Sequence, residues 1–199
     1  MRVLVACEES QRVAIAFREK GHEAFSCDIK DCSGGHPEFH LKCDVIEHLK
    51  TVEPFYYDLI IAHPPCTYLS CAGATNFYNK STGERIEERF LKQIEAREFF
   101  MFFYNFKGCK RICIENPRAM KSAALPPWSQ VIQPYDFGDN YSKQTCLWLI
   151  GLPYLFPSVM VLNRRSAAPS WLAEVRSPVM RSKTFNGIAQ AMAQQWNFD

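Results

Sequence analysis

The chain has 199 residues, of which 47% are hydrophobic and 22% charged. Domains most often run to ~100–150 residues, so a single domain over 1–199 is expected, and this ordinary composition excludes wholesale disorder. The formal charge of +2 excludes a uniformly charged surface, so nucleic-acid contact would need a local patch.

The 9 Cys are odd in number and contain no Cys-x-x-Cys, and the opening MRVLVACEES lacks the basic-then-apolar layout of a signal peptide. Reduced thiols in a cytoplasm are the expectation. No run approaches the ~18 apolar residues of a membrane span, so no membrane partner is expected.

Arg2 to Cys7 is a short apolar run that predicts a buried strand, and Gln11 to Lys20 predicts a helix stopped at Gly21. Ala24 to Asp28 reads as a second strand, Lys42 to Val45 as a third and Asp58 to Ala62 as a fourth, ending at His63-Pro64-Pro65-Cys66. Glu84 to Phe106 carries apolar residues at 86, 90, 91, 94, 99 and 102, an amphipathic helix whose aromatics read as core. Arg111 to Glu115 reads as a fifth strand. Ile132 to Phe137 and Thr145 to Ile150 read as two more, joined as a hairpin through Gly138. Pro157 to Lys183 reads as an irregular basic insertion and Gly187 to Trp196 as a final helix. Strands alternating with helices predict an α/β fold with a mostly parallel sheet and a C-terminal antiparallel hairpin.

Ligands of open parallel sheets gather outside the carboxyl ends of the strands. Those ends carry Cys7-Glu8, Asp28, Asp44, His63 to Cys66 and Glu115 to Pro117. An acid after the second strand suits ribose hydroxyls, which makes Asp28 a candidate. The first turn, Cys7 to Gln11, has no glycine, which disfavours close approach of a pyrophosphate and so NAD, FAD or ATP. Pro64-Pro65 fixes the backbone ahead of Cys66 and presents its thiol on a rigid loop. With Glu115 at an adjacent strand end, a nucleophile and a proton donor stand together, a pairing suited to addition across an electron-poor ring. Cys32, His36, His40 and Cys43 supply four soft ligands, but their spacing is not that of a common zinc finger. No metal is assigned.

Pro64-Pro65-Cys66-x-x-x-Ser70 followed by Glu115-Asn116-Pro117 resembles the DNA cytosine-5 methyltransferases, whose catalytic loop reads Pro-Pro-Cys-x-x-x-Ser and whose acid lies in a Glu-Asn-Val strand end. The resemblance covers about three quarters of the chain. It extends to Asp28 and Asp44, matching acids for the ribose and adenine of S-adenosylmethionine. It also takes in Phe137-Gly138 with Lys143-Gln144-Thr145, similar to a Tyr-Gly…Gln-x-Arg strand, and Asn186 ahead of a small-residue helix against the cofactor. The chain departs from the family in three places. Cys7 to Gln11 replaces a Phe-x-Gly-x-Gly turn, Lys143 or Arg164 must stand in for the family's arginine, and only a short segment occupies the place of a target-recognition domain. The pattern is similar to compact methyltransferase-like proteins of bacteriophages and prophages.

The resemblance implies a Rossmann-like class I methyltransferase fold acting on carbon 5 of cytosine in DNA, with S-adenosylmethionine as cofactor. Cys66, Glu115 and Lys143 would be catalytic. Cys7, Glu8, Asp28, Asp44, Pro64 and Asn186 would bind the cofactor, and Ser70, Asn116, Arg164 and Arg165 the substrate. From 143 to 183 there are six Lys or Arg against one acid, Glu174, an excess that suits phosphates. Another base or nucleotide acceptor, and a non-catalytic DNA-binding relative, are the alternative readings.

Overall fold

A computed structural model describes residues 1–158, 170 and 177–198. Seven strands form one sheet: β1 (Arg2–Ala6), β2 (Glu23–Asp28), β3 (His40–Lys42), β4 (Leu59–Ala62), β5 (Ile112–Pro117), β6 (Gln130–Ile132) and β7 (Thr145–Ile150). Their order is β3-β2-β1-β4-β5-β7-β6. The first five run parallel, and β7 lies antiparallel to both β5 and β6. The chain therefore turns back on itself between β1 and β4, the point at which α/β sheets open a crevice.

Alternation within the strands builds two cores. Val3 and Val5 of β1, with Leu59 and Ile61 of β4, pack on one face against α1 (Arg12–Glu19) and α5 (Asn186–Gln195). Leu4 and Ala6, with Ile60 and Ala62, pack on the other against α2 (Val45–Thr51) and α3 (Glu87–Asn105). Among the described residues each core holds one fully buried tryptophan whose indole N–H reaches a proline carbonyl, as a buried indole requires. Trp148 donates to Pro126 at 2.8 Å and Trp196 to Pro153 at 3.1 Å. At the start of α5, Gly187 lies so close to the Phe137 carbonyl that any Cβ there would collide with it.

Four expectations need correction. The third strand lies earlier, over His40–Lys42, because Asp44 accepts from the N–H groups of Ile46 and Glu47 and so starts α2 at Val45. The sixth strand ends at Ile132. Pro134–Phe137 is a 3-10 turn, since proline removes a ladder donor and Gly138, at φ 95, closes the turn. The link from β6 to β7 is therefore longer than a tight hairpin. Along α3 the buried residues are Gln93, Phe100 and Phe103, whereas Leu91 and Ile94 are exposed. The amino-terminal half of that helix turns Gln93 inward instead, where its amide bonds the Tyr68 carbonyl. Pro178–Ser182 forms a short helix, α4, where irregular chain was expected. No helix among the described residues is long and apolar enough to cross a membrane.

Candidate active site

Sheet register builds the site. Ala6, Ala62 and Ile114 lie abreast in β1, β4 and β5, so the next residues, Cys7, His63 and Glu115, stand side by side at the carboxyl edge. The His63 N–H donates to the Ala6 carbonyl at 2.9 Å. Pro117 pairs with Thr145 across the antiparallel β7, which brings Lys143 to the same edge.

The loop after β4 is braced at every turn. Asn116, 1% exposed, donates its amide to the Pro64 carbonyl at 2.7 Å, and Gln93 donates to the Tyr68 carbonyl at 2.9 Å. The N–H groups of Leu69 and Ser70 donate to the Cys66 carbonyl, and Met120 N–H to that of Leu69. Ser70 is buried and bridges Ala119. Cys66 remains half-buried, with Pro65 exposed beside it. Ser70 through its backbone and Asn116 through its amide N–H, both expected at the substrate, thus also hold the loop.

Glu115 is paired. Its Oε2 lies 2.8 Å from His63 Nδ1, with the two side chains only 11% and 10% exposed. Burial raises the Glu115 carboxyl. The His63 hydrogen bond, the His63 charge and Lys143 outweigh that, so the carboxyl sits below its ordinary range. For His63, burial favours the neutral ring, but the Glu115 bond and the charges of Glu115 and Glu8 outweigh it and Lys143 together, raising the imidazole. Each partner thus favours the charged form of the other, an imidazolium facing a carboxylate. Burial, reinforced by Glu115, raises the Cys66 thiol, and Lys143 partly offsets this. Lys143 Nζ donates to the Arg181 carbonyl at 3.0 Å.

The other half of the edge is more open. Asp28 is half-buried at the end of β2, where it accepts from Lys30 N–H, and Asp44 is exposed at the start of α2. After burial itself, both charges act on the Cys7 thiol, pushing it up to about 12, so the two acids converge on the mouth of β1. Two carboxylates meeting there could accept from the hydroxyl or amino groups of a nucleoside. Glu8 does something else: buried, it accepts from the N–H groups of Val13 and Ala14 and caps α1.

The glycine-free first turn uses two residues in the left-handed region, Cys7 at φ 59 and Gln11 at φ 58. The fully buried Gln11 side chain donates to Ser26 and to the His36 carbonyl and accepts from His36 N–H. It clasps the following loop so tightly that a Cβ on Gly34 would lie 2.6 Å from its own Cβ. Asn186 is exposed at the first position of α5. Arg164 and Arg165 lie outside the described residues. Cys32, His36, His40 and Cys43 do not converge. Both ring nitrogens of His40 are engaged, by Ser26 and the Lys30 carbonyl, and Cys43 Sγ lies 3.7 Å from Cys27 Sγ. No group of three potential metal ligands occurs among the described residues.

Sequence reading missed two working residues. His63 was legible only as a strand end, although its place one residue past Ala62, level with Glu115, follows from parallel register. Gln93 gave no signal inside an apolar helix face.

No protein-family model matches the chain. No curated protein matches it. Among solved structures it is similar to a candidate DNA modification methyltransferase encoded within a prophage in E. coli, with a TM-score of 0.44 and 12% identity over 75% of this chain. The match takes in 46% of that protein, so this chain spans less than half its length.

Proposed function

We propose that the protein is an S-adenosylmethionine-dependent methyltransferase of Rossmann-like class I architecture that methylates carbon 5 of cytosine in DNA. The observation that carries this reading is the Cys66 thiol on a doubly braced Pro-Pro loop, at the same sheet edge as Glu115 and Lys143. The strand order, with its reversal between β1 and β4 and a single antiparallel strand, supports the cofactor assignment. Asp28 and Asp44 would hold the adenosine end, next to Cys7. The bound cofactor supplies an electrophilic methyl group.

Cys66 would attack carbon 6 of a cytosine flipped out of the stack, since the target atoms are hidden in a duplex. Burial keeps the thiol protonated at rest, so attack requires loss of its proton, and Lys143 favours the thiolate that results. Glu115 would meet N3 and the exocyclic amine, where charge develops as the ring is attacked. Lys143 takes the place of a bidentate arginine with a single point charge. Arg164 and Arg165 would contact phosphates. Asn116, Ser70 and Gln93 act through the loop, fixing where the thiol stands.

The test is mass analysis of nucleosides from DNA of cells expressing the protein. 5-Methylcytosine is expected in wild type and absent with C66A. Methylation on an exocyclic amine instead would replace the covalent reading, and unmodified DNA that nonetheless binds the protein would favour the non-catalytic alternative.

A further inference from the structure

We infer that His63 is the proton store of this site: a positioning residue that returns a proton from Nδ1 to Glu115 as Glu115 protonates N3 of the attacked cytosine. This rests on the cytosine-5 reading. Three observations carry it. The His63 to Glu115 contact is 2.8 Å, between two side chains nine-tenths buried, so a proton on that bond is shielded from solvent. The other ring nitrogen, Nε2, is buried and has no hydrogen-bond partner among the described residues, so Nδ1 is the ring's one bonded route for a proton there. Parallel register fixes both residues at the same level of adjacent strands, so the contact belongs to the sheet itself.

The chemistry needs such a store. As a carboxylate, Glu115 can accept from the exocyclic amine but has no proton for N3. Charged groups face the imidazole from each side: Glu8 from the end of β1, Glu115 from β5 and Lys143 from ahead of β7, with the Cys66 thiol in the adjoining loop. The two carboxylates favour the imidazolium and Lys143 opposes it, which keeps the proton held but transferable. In the addition step the Cys66 thiolate, having released its proton to water, forms the S–C6 bond. The C5=C6 π pair shifts into the ring, N3 takes a proton from Glu115, and Glu115 takes one from His63 Nδ1. The pair passes from imidazolium and carboxylate to neutral imidazole and carboxylate, and the charge balances. After C5 takes the methyl group its proton leaves to water, the C5=C6 bond re-forms as the S–C6 bond breaks, and N3 returns its proton through Glu115 to His63 Nδ1.

The experiment measures covalent trapping of the full chain by random-sequence duplexes containing 5-fluorodeoxycytidine, with S-adenosylmethionine present, across pH. Wild type should trap with a bell-shaped pH dependence, one limb set by the His63 imidazolium and the other by the Cys66 thiol. H63Q must carry the proton on Glu115 itself, so the limb set by His63 should move to lower pH by at least about one unit while the limb set by Cys66 stays in place. Its cofactor affinity, measured by calorimetry, should be unchanged. Independently, NMR titration should find the His63 imidazole above its ordinary range in wild type and lowered in E115Q. Absence of an adduct from wild type overturns the cytosine-5 reading and this inference with it. A wild-type adduct with both limbs unmoved in H63Q, or a His63 that titrates at or below its ordinary value in wild type, overturns the inference alone.

Discussion

The carboxyl edge of the sheet has two halves built on different principles. On the β1, β2 and β3 side, Asp28 and Asp44 are at least partly open and, among the described residues, bond only to nearby backbone. On the β4, β5 and β7 side, His63 and Glu115 are buried and bonded across 52 residues of chain, next to a half-buried thiol. An open acid can exchange water for a ligand at little cost, whereas a buried pair holds its charges ready in a low dielectric where they act strongly. The first half suits reversible binding and the second suits bond making. Substitutions should separate them.

The largest effect is expected at Cys66. C66A should lower methyl transfer by more than about 10³-fold, because no other described thiol stands on that loop facing the edge, while cofactor affinity stays constant. C71S, at an exposed residue bonded to the Ala119 carbonyl, should leave transfer intact. If C66A also weakens cofactor binding strongly, the halves are not separable. E115Q should slow transfer by about 10²–10⁴-fold, the usual range for a lost acid–base group, again without changing cofactor affinity. D28A should do the reverse: about ten- to hundredfold weaker binding, from a charge-assisted hydrogen bond worth ~1.5–3 kcal/mol, with little change at saturating cofactor. Calorimetry beside single-turnover rates reads both numbers.

Stability offers the finest discrimination. D44A should cost about 1 kcal/mol of folding free energy through loss of the α2 cap. H63Q should instead cost stability within a pH window. Glu115 is lowered in the fold, so its contribution is present above its unfolded value of about 4.3 and fades as pH falls below that; His63 is raised, so its contribution is complete below about 6.5 and fades as pH rises past the folded value. The difference between wild type and H63Q in urea titrations should therefore peak between those two values. A difference independent of pH would mean that the pair is not charged in the folded protein.

Much of this arrangement was legible in the chain. Strands such as Leu59–Ala62 are short, apolar and bounded by proline or acid, and their ends name the edge residues directly. The helix beginning at Val45 was not legible, since its two leading β-branched residues suggest a strand and only the Asp44 side chain decides otherwise. The roles of Glu8 and Asn116 were equally hidden. A carboxylate or amide at a strand end looks available to a ligand, and only three-dimensional packing reveals that the α1 N–H groups or the Pro64 carbonyl already occupy it. Local pattern names residues of the right chemistry, and their partners come from sequence-distant backbone.

The turn from Cys7 to Gln11 has one more consequence. Holding two non-glycine residues in the left-handed region costs of order 1–3 kcal/mol each, which the Gln11 clasp on Ser26 and His36 must offset. A glycine turn would relieve that strain and would also leave the chain between β1 and α1 free to flex. Here the same stretch is a sprung latch. Anything that docks beside it meets a surface whose shape is set before arrival, so a correct ligand loses little entropy on binding and a wrongly shaped one finds no accommodation.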